Sequence, residues 1–258
     1  MSGPVRVSTE GAVTTVTLDA PEVRNSIGAP GMRDGLIAAV EGFEADASQR
    51  ALVFTGANGV FSAGGNLKQL KELRTREEME QRIPRGGLTS RILTSDKLYL
   101  AAVEGPAFGA AIGLVASCDL VVAAEGARFC AAQVRVGASP DGGMFWSVPR
   151  RMGRAAAKRF LLTGEEIDQT VALASGLADY AAPDGSALEQ AQAQAKRMAF
   201  GPPLAQATVK RYFAQDMTGM EEVLDWERLE AIDNFLTDDF LEGANAFLEK
   251  RRPQFRGQ

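Results

Sequence analysis

The chain has 258 residues, of which 45% are hydrophobic and 24% are charged, proportions that fit a globular protein and exclude collagen, coiled-coil and disordered classes. It contains no histidine, which excludes a Ser-His-Asp triad, a Cys-His pair and any histidine-ligated metal. The net charge of -5 disfavours a protein that binds nucleic acid through phosphate contacts.

The first part of the chain alternates predicted strands and helices. In chain order we predict strands over 5–7 and 13–18, a helix over 30–46, a buried strand over 51–55, a polar helical stretch over 75–93, a strand over 99–104, a small-residue helix over 109–117 and a strand over 120–124. Each assignment follows the spacing of apolar residues and the position of glycine and proline. Strand, loop and helix repeated in this way indicate an α/β fold with parallel strand pairing.

From about Ala187 the sequence predicts helices alone, over 187–199, 202–214, 220–235 and 237–250. A helical block of this kind cannot easily extend a parallel sheet, so we expect it to pack on a neighbouring subunit. The chain is therefore divided into a core over residues 1–195 and a C-terminal helical oligomerisation region over residues 196–258.

Targeting and cross-linking signals are weak. The segment Met1 to Glu10 lacks the apolar core of a secretory signal, and the longest apolar stretch, 107–124, is broken by glycines and polar residues, unlike a membrane span. The two cysteines are too few for a disulfide framework and lack metal-ligand spacing. We expect a cytoplasmic protein with neither a membrane nor a nucleic-acid partner.

Two glycine-rich turns each follow a predicted strand and precede a predicted helix. They are FSAGGNL (61–67) and EGPAFGAAIG (104–113). Glycine lets a ligand approach the backbone closely, and a helix N-terminus presents unpaired N–H groups. Two such turns that converge could form an oxyanion hole, which stabilises an oxygen as it gains negative charge. The alternative is that they are only tight turns that allow close helix packing.

Five segments, in order and at characteristic spacing, point to a known family. They are PEVRNSI (21–27), VFTGANGVFSAGGNLK (53–68), VEGPAFGAAIGLVASCDLVVAAEGARF (103–129), LTGEEID (162–168) and KRRPQF (250–255). With them the sequence resembles the crotonase superfamily, the enoyl-CoA hydratase/isomerase family, over nearly its whole length. The resemblance implies a crotonase-like spiral of ββα turns, a helical C-terminal trimerisation region that forms a homotrimer or dimer of trimers, and an acyl-CoA thioester as substrate.

Aligning these motifs implies a set of site residues. The oxyanion-hole N–H groups fall on Gly65 and Ala110, with Gly109 beside the latter. The stretch 65–68 would line the CoA adenine and pantetheine pocket, and Arg24 would lie near the CoA phosphates. The residues implied to bind substrate or CoA are Arg24, Ala63, Gly65, Asn66, Leu67, Lys68, Gly109 and Gln133.

The chain departs from the family's hydratases at both of their catalytic glutamates, since those positions hold Gly113 and Gln133. Adding water to a conjugated double bond needs one group to activate the water and one to deliver a proton. Glycine has no side chain and an amide does not usefully exchange a proton, so two-glutamate hydration is disfavoured.

Asp141, eight residues after Gln133, is the remaining candidate acid or base. In the similar dienoyl-CoA isomerases, aromatic-ring isomerases and 4-chlorobenzoyl-CoA dehalogenases this position carries the working aspartate. The alternative is that Asp141 caps a helix predicted over 143–150. Among other polar residues, Glu104 could face the pocket, Asp119 is expected to be structural, and Asn66 is expected to serve loop hydrogen bonding.

The resulting prediction is an acyl-CoA enzyme that shifts a double bond, with Asp141 as proton carrier and Gly65 and Ala110 as oxyanion donors. No metal ion or redox cofactor is implied. The alternatives are an enoyl-CoA hydratase or acyl-CoA hydrolase that uses the same aspartate, a dehalogenase-type nucleophilic aspartate, and an inactive acyl-CoA-binding protein. The negative charge disfavours an RNA-binding version.

Overall fold

The computed structural model describes residues 3–83 and 87–258. Its strands are β1 (Val5–Glu10), β2 (Val13–Leu18), β3 (Ala51–Gly56), β4 (Leu98–Val103), β5 (Pro106–Phe108), β6 (Leu120–Ala124), β7 (Arg128–Cys130), β8 (Glu166–Asp168) and β9 (Tyr180–Ala182). Its α-helices are α1 (Met32–Ala45), α2 (Leu67–Leu70), α3 (Arg76–Arg82), α4 (Gly87–Thr94), α5 (Ala110–Ser117), α6 (Met144–Met152), α7 (Arg154–Thr163), α8 (Gln169–Ser175), α9 (Ala187–Ala199), α10 (Pro203–Ala214), α11 (Met220–Phe235) and α12 (Asp238–Leu248).

The strands form two sheets. One has the order β1-β2-β3-β4-β6-β9 and the other the order β5-β7-β8. The first sheet is parallel except where β1 runs antiparallel to β2. Each of the pairs β4–β5 and β6–β7 supplies one strand to each sheet, and α5 follows the first pair. This winding confirms the predicted α/β, crotonase-like fold.

Apolar residues fill both faces of the larger sheet. The residues of β4 are buried without exception, as expected of a central parallel strand covered on both sides. On one face the core includes Phe54, Tyr99 and Ile112. On the other, the buried alanines 187, 191 and 195 of α9 pack against the strands. Small side chains at this spacing let the helix lie close to the sheet.

The structure corrects the predicted element map at several points. The helices α2, α7 and α8 were not predicted. The polar stretch predicted as helical over 75–93 contains the separate helices α3 and α4, and residues 84–86 between them lie outside the described part. The strands β5, β7, β8 and β9 were not predicted. Each has three residues, which is too short for an alternating pattern to be recognised.

The C-terminal helices begin on the core and continue onto the surface. The predicted domain limit at 195/196 falls inside α9, which covers the sheet of its own chain. Helix α10 is joined to the core by an ion pair of 2.8 Å between Lys210 Nζ and Asp119 Oδ2. Helix α11 has no buried residue. Within the described ranges, none of the helices is both long and apolar enough to span a membrane.

Candidate active site

The two glycine-rich turns meet backbone to backbone. The N–H of Phe108 donates to the carbonyl of Ser62 over 2.9 Å, which forms part of a short parallel bridge between the turns. A β-carbon on Gly64 would lie 2.3 Å from the carbonyl oxygen of Phe108 and 3.1 Å from the amide nitrogen of Ala110. Gly64 also has φ of +82°. Only glycine therefore allows the turns to approach this closely.

Two serines that the sequence did not single out hold the first turn in place. Ser26 Oγ donates to the carbonyl of Gly64 over 2.7 Å, and the N–H of Gly64 donates to Ser62 Oγ over 3.0 Å. Both serines are buried. The sequence motifs do not distinguish these serines from their neighbours. Their role in supporting the turn is visible only from their hydrogen bonds in the structure.

The turns leave two N–H groups available beside each other. In the described part of the chain, neither the N–H of Gly65 nor that of Ala110 has a hydrogen-bond acceptor. Ala110 is the first residue of α5, where the N–H groups lack intrahelical partners. The N–H of Gly109 is instead bonded to the carbonyl of Cys130 over 2.8 Å. The geometry thus favours Ala110 over Gly109 as a donor to a ligand.

The loop that contains Asp141 lies against the first turns of α5. A β-carbon on Gly113 would lie 2.3 Å from the carbonyl oxygen of Gly142, and one on Gly142 would lie 4.0 Å from the carbonyl oxygen of Ala110. Thr89 Oγ1 of α4 donates to the carbonyl of Gly142 over 2.8 Å. The loop is therefore fixed from two sides, one turn of helix away from the N–H of Ala110.

Asp141 is paired with Gln133 and does not cap a helix. Gln133 Nε2 donates to Asp141 Oδ1 over 3.1 Å. Helix α6 begins at Met144, its N-cap is Gly143, and no side chain caps it. The alternative that Asp141 is a helix cap is thus wrong, because two glycines separate the carboxylate from the helix start. Gln133 Oε1 is buried and has no hydrogen-bond partner in the described structure.

The residues predicted to contact CoA lie around the first turn. The N–H of Ala63 donates to the carbonyl of Arg24 over 2.9 Å, which places the exposed Arg24 beside this turn. Asn66 Oδ1 accepts from the N–H of Lys68 over 3.1 Å and caps α2, as expected for loop hydrogen bonding. Leu67 is 56% exposed and Lys68 is also exposed, so both are accessible to a ligand.

The other two carboxylates considered have structural partners. Glu104 accepts from the N–H of Gly185 over 2.9 Å and from that of Ala187 over 2.7 Å, so both its oxygens hold the start of α9. Asp119 accepts from Lys210 and, over 2.7 Å, from the N–H of Tyr99. Burial raises the pKa of Asp119, while Lys210 opposes this shift. The idea that Glu104 faces the pocket is not supported by these contacts.

Neither cysteine is an activated nucleophile. Burial raises the pKa of the Cys130 thiol and also that of Cys118, so both remain protonated at neutral pH. Cys130 Sγ donates to the carbonyl of Gly164 over 3.1 Å. Neither thiol is therefore suited to act as a base or nucleophile at neutral pH.

Comparison with known proteins relates the chain to enoyl-CoA hydratases in both sequence and structure. A family model described as enoyl-CoA hydratase/isomerase matches residues 8–258. An Escherichia coli protein named 2,3-dehydroadipyl-CoA hydratase is 32% identical over 98% of both chains, and a Rhodobacter capsulatus protein named “Probable enoyl-CoA hydratase” is 35% identical over 98% of both. The crystal structure of an enoyl-CoA hydratase from Polaromonas sp. JS666 superposes with a TM-score of 0.92 at 36% identity, covering 98% of this chain and 100% of that one.

Proposed function

The chain belongs to the enoyl-CoA hydratase/isomerase family, and from this premise we propose that it isomerises an unsaturated acyl-CoA by moving a proton through Asp141. The observation that carries the proposal is the contact of the Asp141 loop with α5, the helix whose first N–H has no acceptor among the described residues. A carboxylate that carries the proton and oxyanion donors that stabilise the enolate are the groups that such a transfer uses.

The thioester carbonyl oxygen would accept hydrogen bonds from the N–H groups of Gly65 and Ala110. Removing a proton from the carbon beside the carbonyl makes an enolate, whose negative charge develops on that oxygen. Donors that already point at this position stabilise the enolate without having to reorganise. The carbon–hydrogen bond is thereby made acidic enough for a carboxylate to act as its base.

Asp141 would take the proton from one carbon of the acyl chain and return it to another, so that the double bond moves and the mass is unchanged. The same group acts first as base and then as acid, so no second carboxylate is needed. This agrees with Gly113 and Gln133 at the two positions where the resemblance implies hydratase glutamates. The scheme uses only groups of the chain and the substrate.

Hydration is the second candidate, and two observations favour it. The relatives named above carry hydratase names. In addition, Gln133 Oε1, which has no partner among the described residues, could accept a hydrogen bond from a water molecule, whose proton Asp141 would then take. The water oxygen would bond to the β-carbon and the proton would pass from Asp141 to the α-carbon.

A single assay separates these reactions. The enzyme is incubated with hexenoyl-CoA carrying either a β,γ or an α,β double bond, and the products are followed by thioester absorbance and mass. Isomerisation converts the β,γ into the α,β compound at constant mass, whereas hydration adds one water to the α,β compound. Release of free CoA would identify a hydrolase. No turnover of either compound, with binding retained, would contradict the proposal and identify an acyl-CoA-binding protein.

We also propose that the chain forms a homotrimer or dimer of trimers in the cytoplasm. The C-terminal helices expose large apolar side chains, among them Leu229, Phe235, Leu236, Phe247 and Leu248. An exposed apolar surface of this kind is typical of a subunit interface. Light scattering at micromolar concentration is expected to give a mass of three or six chains. A single monomeric species would contradict the proposal.

A further inference from the structure

We propose that Gln133 is a positioning residue that fixes the carboxylate of Asp141 for proton transfer. This rests on the function proposed above. The direct observation is the hydrogen bond of 3.1 Å from Gln133 Nε2 to Asp141 Oδ1. A donor on one carboxylate oxygen restrains the rotation of the carboxylate and leaves the other oxygen, Oδ2, to exchange the proton with the substrate.

The backbone between Gln133 and Asp141 is held by local hydrogen bonds, which restrain the two side chains relative to each other. Gln133 lies in a turn of 3-10 helix over Ala132–Val136 that ends at Gly137, where φ is +75°. The N–H of Ala138 donates to the carbonyl of Gln133 over 3.0 Å. Three residues later the chain reaches Asp141, after the buried Pro140.

The orientation of the Gln133 amide depends on Asp141. The other end of the amide, the buried Oε1, has no partner in the described structure that could set its orientation independently of Asp141. Nε2 must face the carboxylate because two acceptor oxygens would repel each other. The unsatisfied acceptor is also available to an O–H donor that enters the site.

An amide suits this position better than a carboxylate when Asp141 carries the proton. Two carboxylates at the same separation cannot both stay ionised, and they would share one proton. A neutral amide can donate to Asp141 without competing for the proton. Gln133 therefore leaves Asp141 as the one proton carrier of the pair.

The experiment is a double-mutant cycle assayed with β,γ-unsaturated hexenoyl-CoA. It compares the wild type, Gln133→Met, Asp141→Asn and the double variant. Methionine has nearly the size of glutamine but cannot donate, so kcat is expected to fall roughly 10–100-fold, the effect of losing a hydrogen bond to a charged group, with KM little changed. Because Gln133 acts through Asp141, the double variant is expected to be no slower than Asp141→Asn alone.

Gln194→Met is the matched control. Gln194 also has a buried Oε1 without a partner in the described residues, but it lies on α9, outside the candidate site. This variant is expected to keep wild-type kcat and KM. If it slows the reaction as much as Gln133→Met, the effect of the latter is a general consequence of replacing a half-buried glutamine and the inference is wrong.

Gln133→Glu tests the inference through the pH profile of kcat/KM, which would not change if Gln133 served only the stability of the fold. It keeps the side-chain size and creates a carboxylate pair, so the acid limb of the pH profile of kcat/KM is expected to move to higher pH by about one unit or more. A wild-type profile together with wild-type kcat in Gln133→Met would overturn the inference while leaving the proposed function intact. Independent, multiplying effects in the cycle would also overturn it. Wild-type turnover by Asp141→Asn would instead overturn the proposed function, and the inference with it.

Discussion

The α-carbon of Gly113 faces the carbonyl oxygen of Gly142 so closely that a β-carbon on Gly113 would lie 2.3 Å from that oxygen. Real β-carbons do not approach a backbone oxygen this closely. The Asp141 loop thus occupies the space that a side chain at position 113 would need. The Asp141 loop can take this position only because residue 113 has no side chain, so a glutamate at position 113 is incompatible with it.

Gly113→Ala is therefore expected to destabilise the protein. The added methyl group must displace the loop backbone, and overpacking of this kind costs about 1–3 kcal/mol, which corresponds to a fall of several degrees in Tm. Thermal unfolding followed by circular dichroism measures it. The matched control is Gly42→Ala on α1, where a β-carbon would meet no atom of the described residues within 4 Å. That variant is expected to gain about 0.4–1 kcal/mol. Equal Tm changes would contradict the packing argument.

Asp141→Asn is expected to fold and bind acyl-CoA but to isomerise it slowly. Asparagine keeps the size of the side chain but cannot take and return a proton, and losing a positioned acid–base group lowers the rate about 10²–10⁴-fold. The variant should melt near the wild-type temperature because Asp141 caps no helix. Steady-state kinetics and thermal unfolding test both parts. Full turnover at a lowered Tm would mean that Asp141 is structural.

Gly65→Pro and Gly65→Ala together test the oxyanion hole. Proline removes the N–H, and losing one such donor lowers kcat about 10²–10³-fold. Alanine keeps the N–H, and among the described residues its β-carbon would meet Leu70 Cδ1 alone, at 3.4 Å, so this variant is expected to stay active. CoA binding and Tm of both variants show whether the turn remains intact. If a well-folded Gly65→Pro keeps wild-type kcat, this N–H has no role in the reaction.

Glu242 is expected to make the C-terminal tail sensitive to acid. Hydrogen bonds from Arg251 and from the N–H of Gln254 lower the pKa of Glu242 from 4.5 to about 2. Because the folded-state pKa is the lower one, the stabilisation is present above pH 4.5 and is lost as the pH falls towards 2. The protection of the tail amides, measured relative to the intrinsic exchange rate at each pH, should fall over this range.

Glu242→Gln should remove most of that pH dependence and raise exchange of the tail at neutral pH. Glu80→Gln, which breaks the exposed pair of Arg76 and Glu80 at 2.8 Å, is the control and is expected to leave the tail unchanged. A tail that exchanges identically in wild type and Glu242→Gln across this pH range would show that this carboxylate does not anchor it.

The candidate site was predicted from the sequence where the signal is local. The two glycine turns and the aspartate at 141 stand in recognisable motifs, and the helix beginning at Ala110 was predicted to within one residue. The hydrogen bonds of Glu104 to Gly185 and Ala187 span 81 and 83 residues. No local pattern connects residues so far apart, so the possible role of Glu104 in the pocket could be judged only from its contacts.

The sequence by itself determined the α/β class, the longer strands, most of the longer helices and the family, because hydrophobic periodicity and motif spacing are properties of neighbouring residues. The tertiary structure decided that Asp141 pairs with Gln133 rather than capping α6, and that Ala110 rather than Gly109 keeps a free N–H in the described structure. It also decided the three-residue strands, which exist through pairing with distant partners. Each of these depends on which groups meet after folding, and burial leaves a polar group only the partners that the fold brings to it.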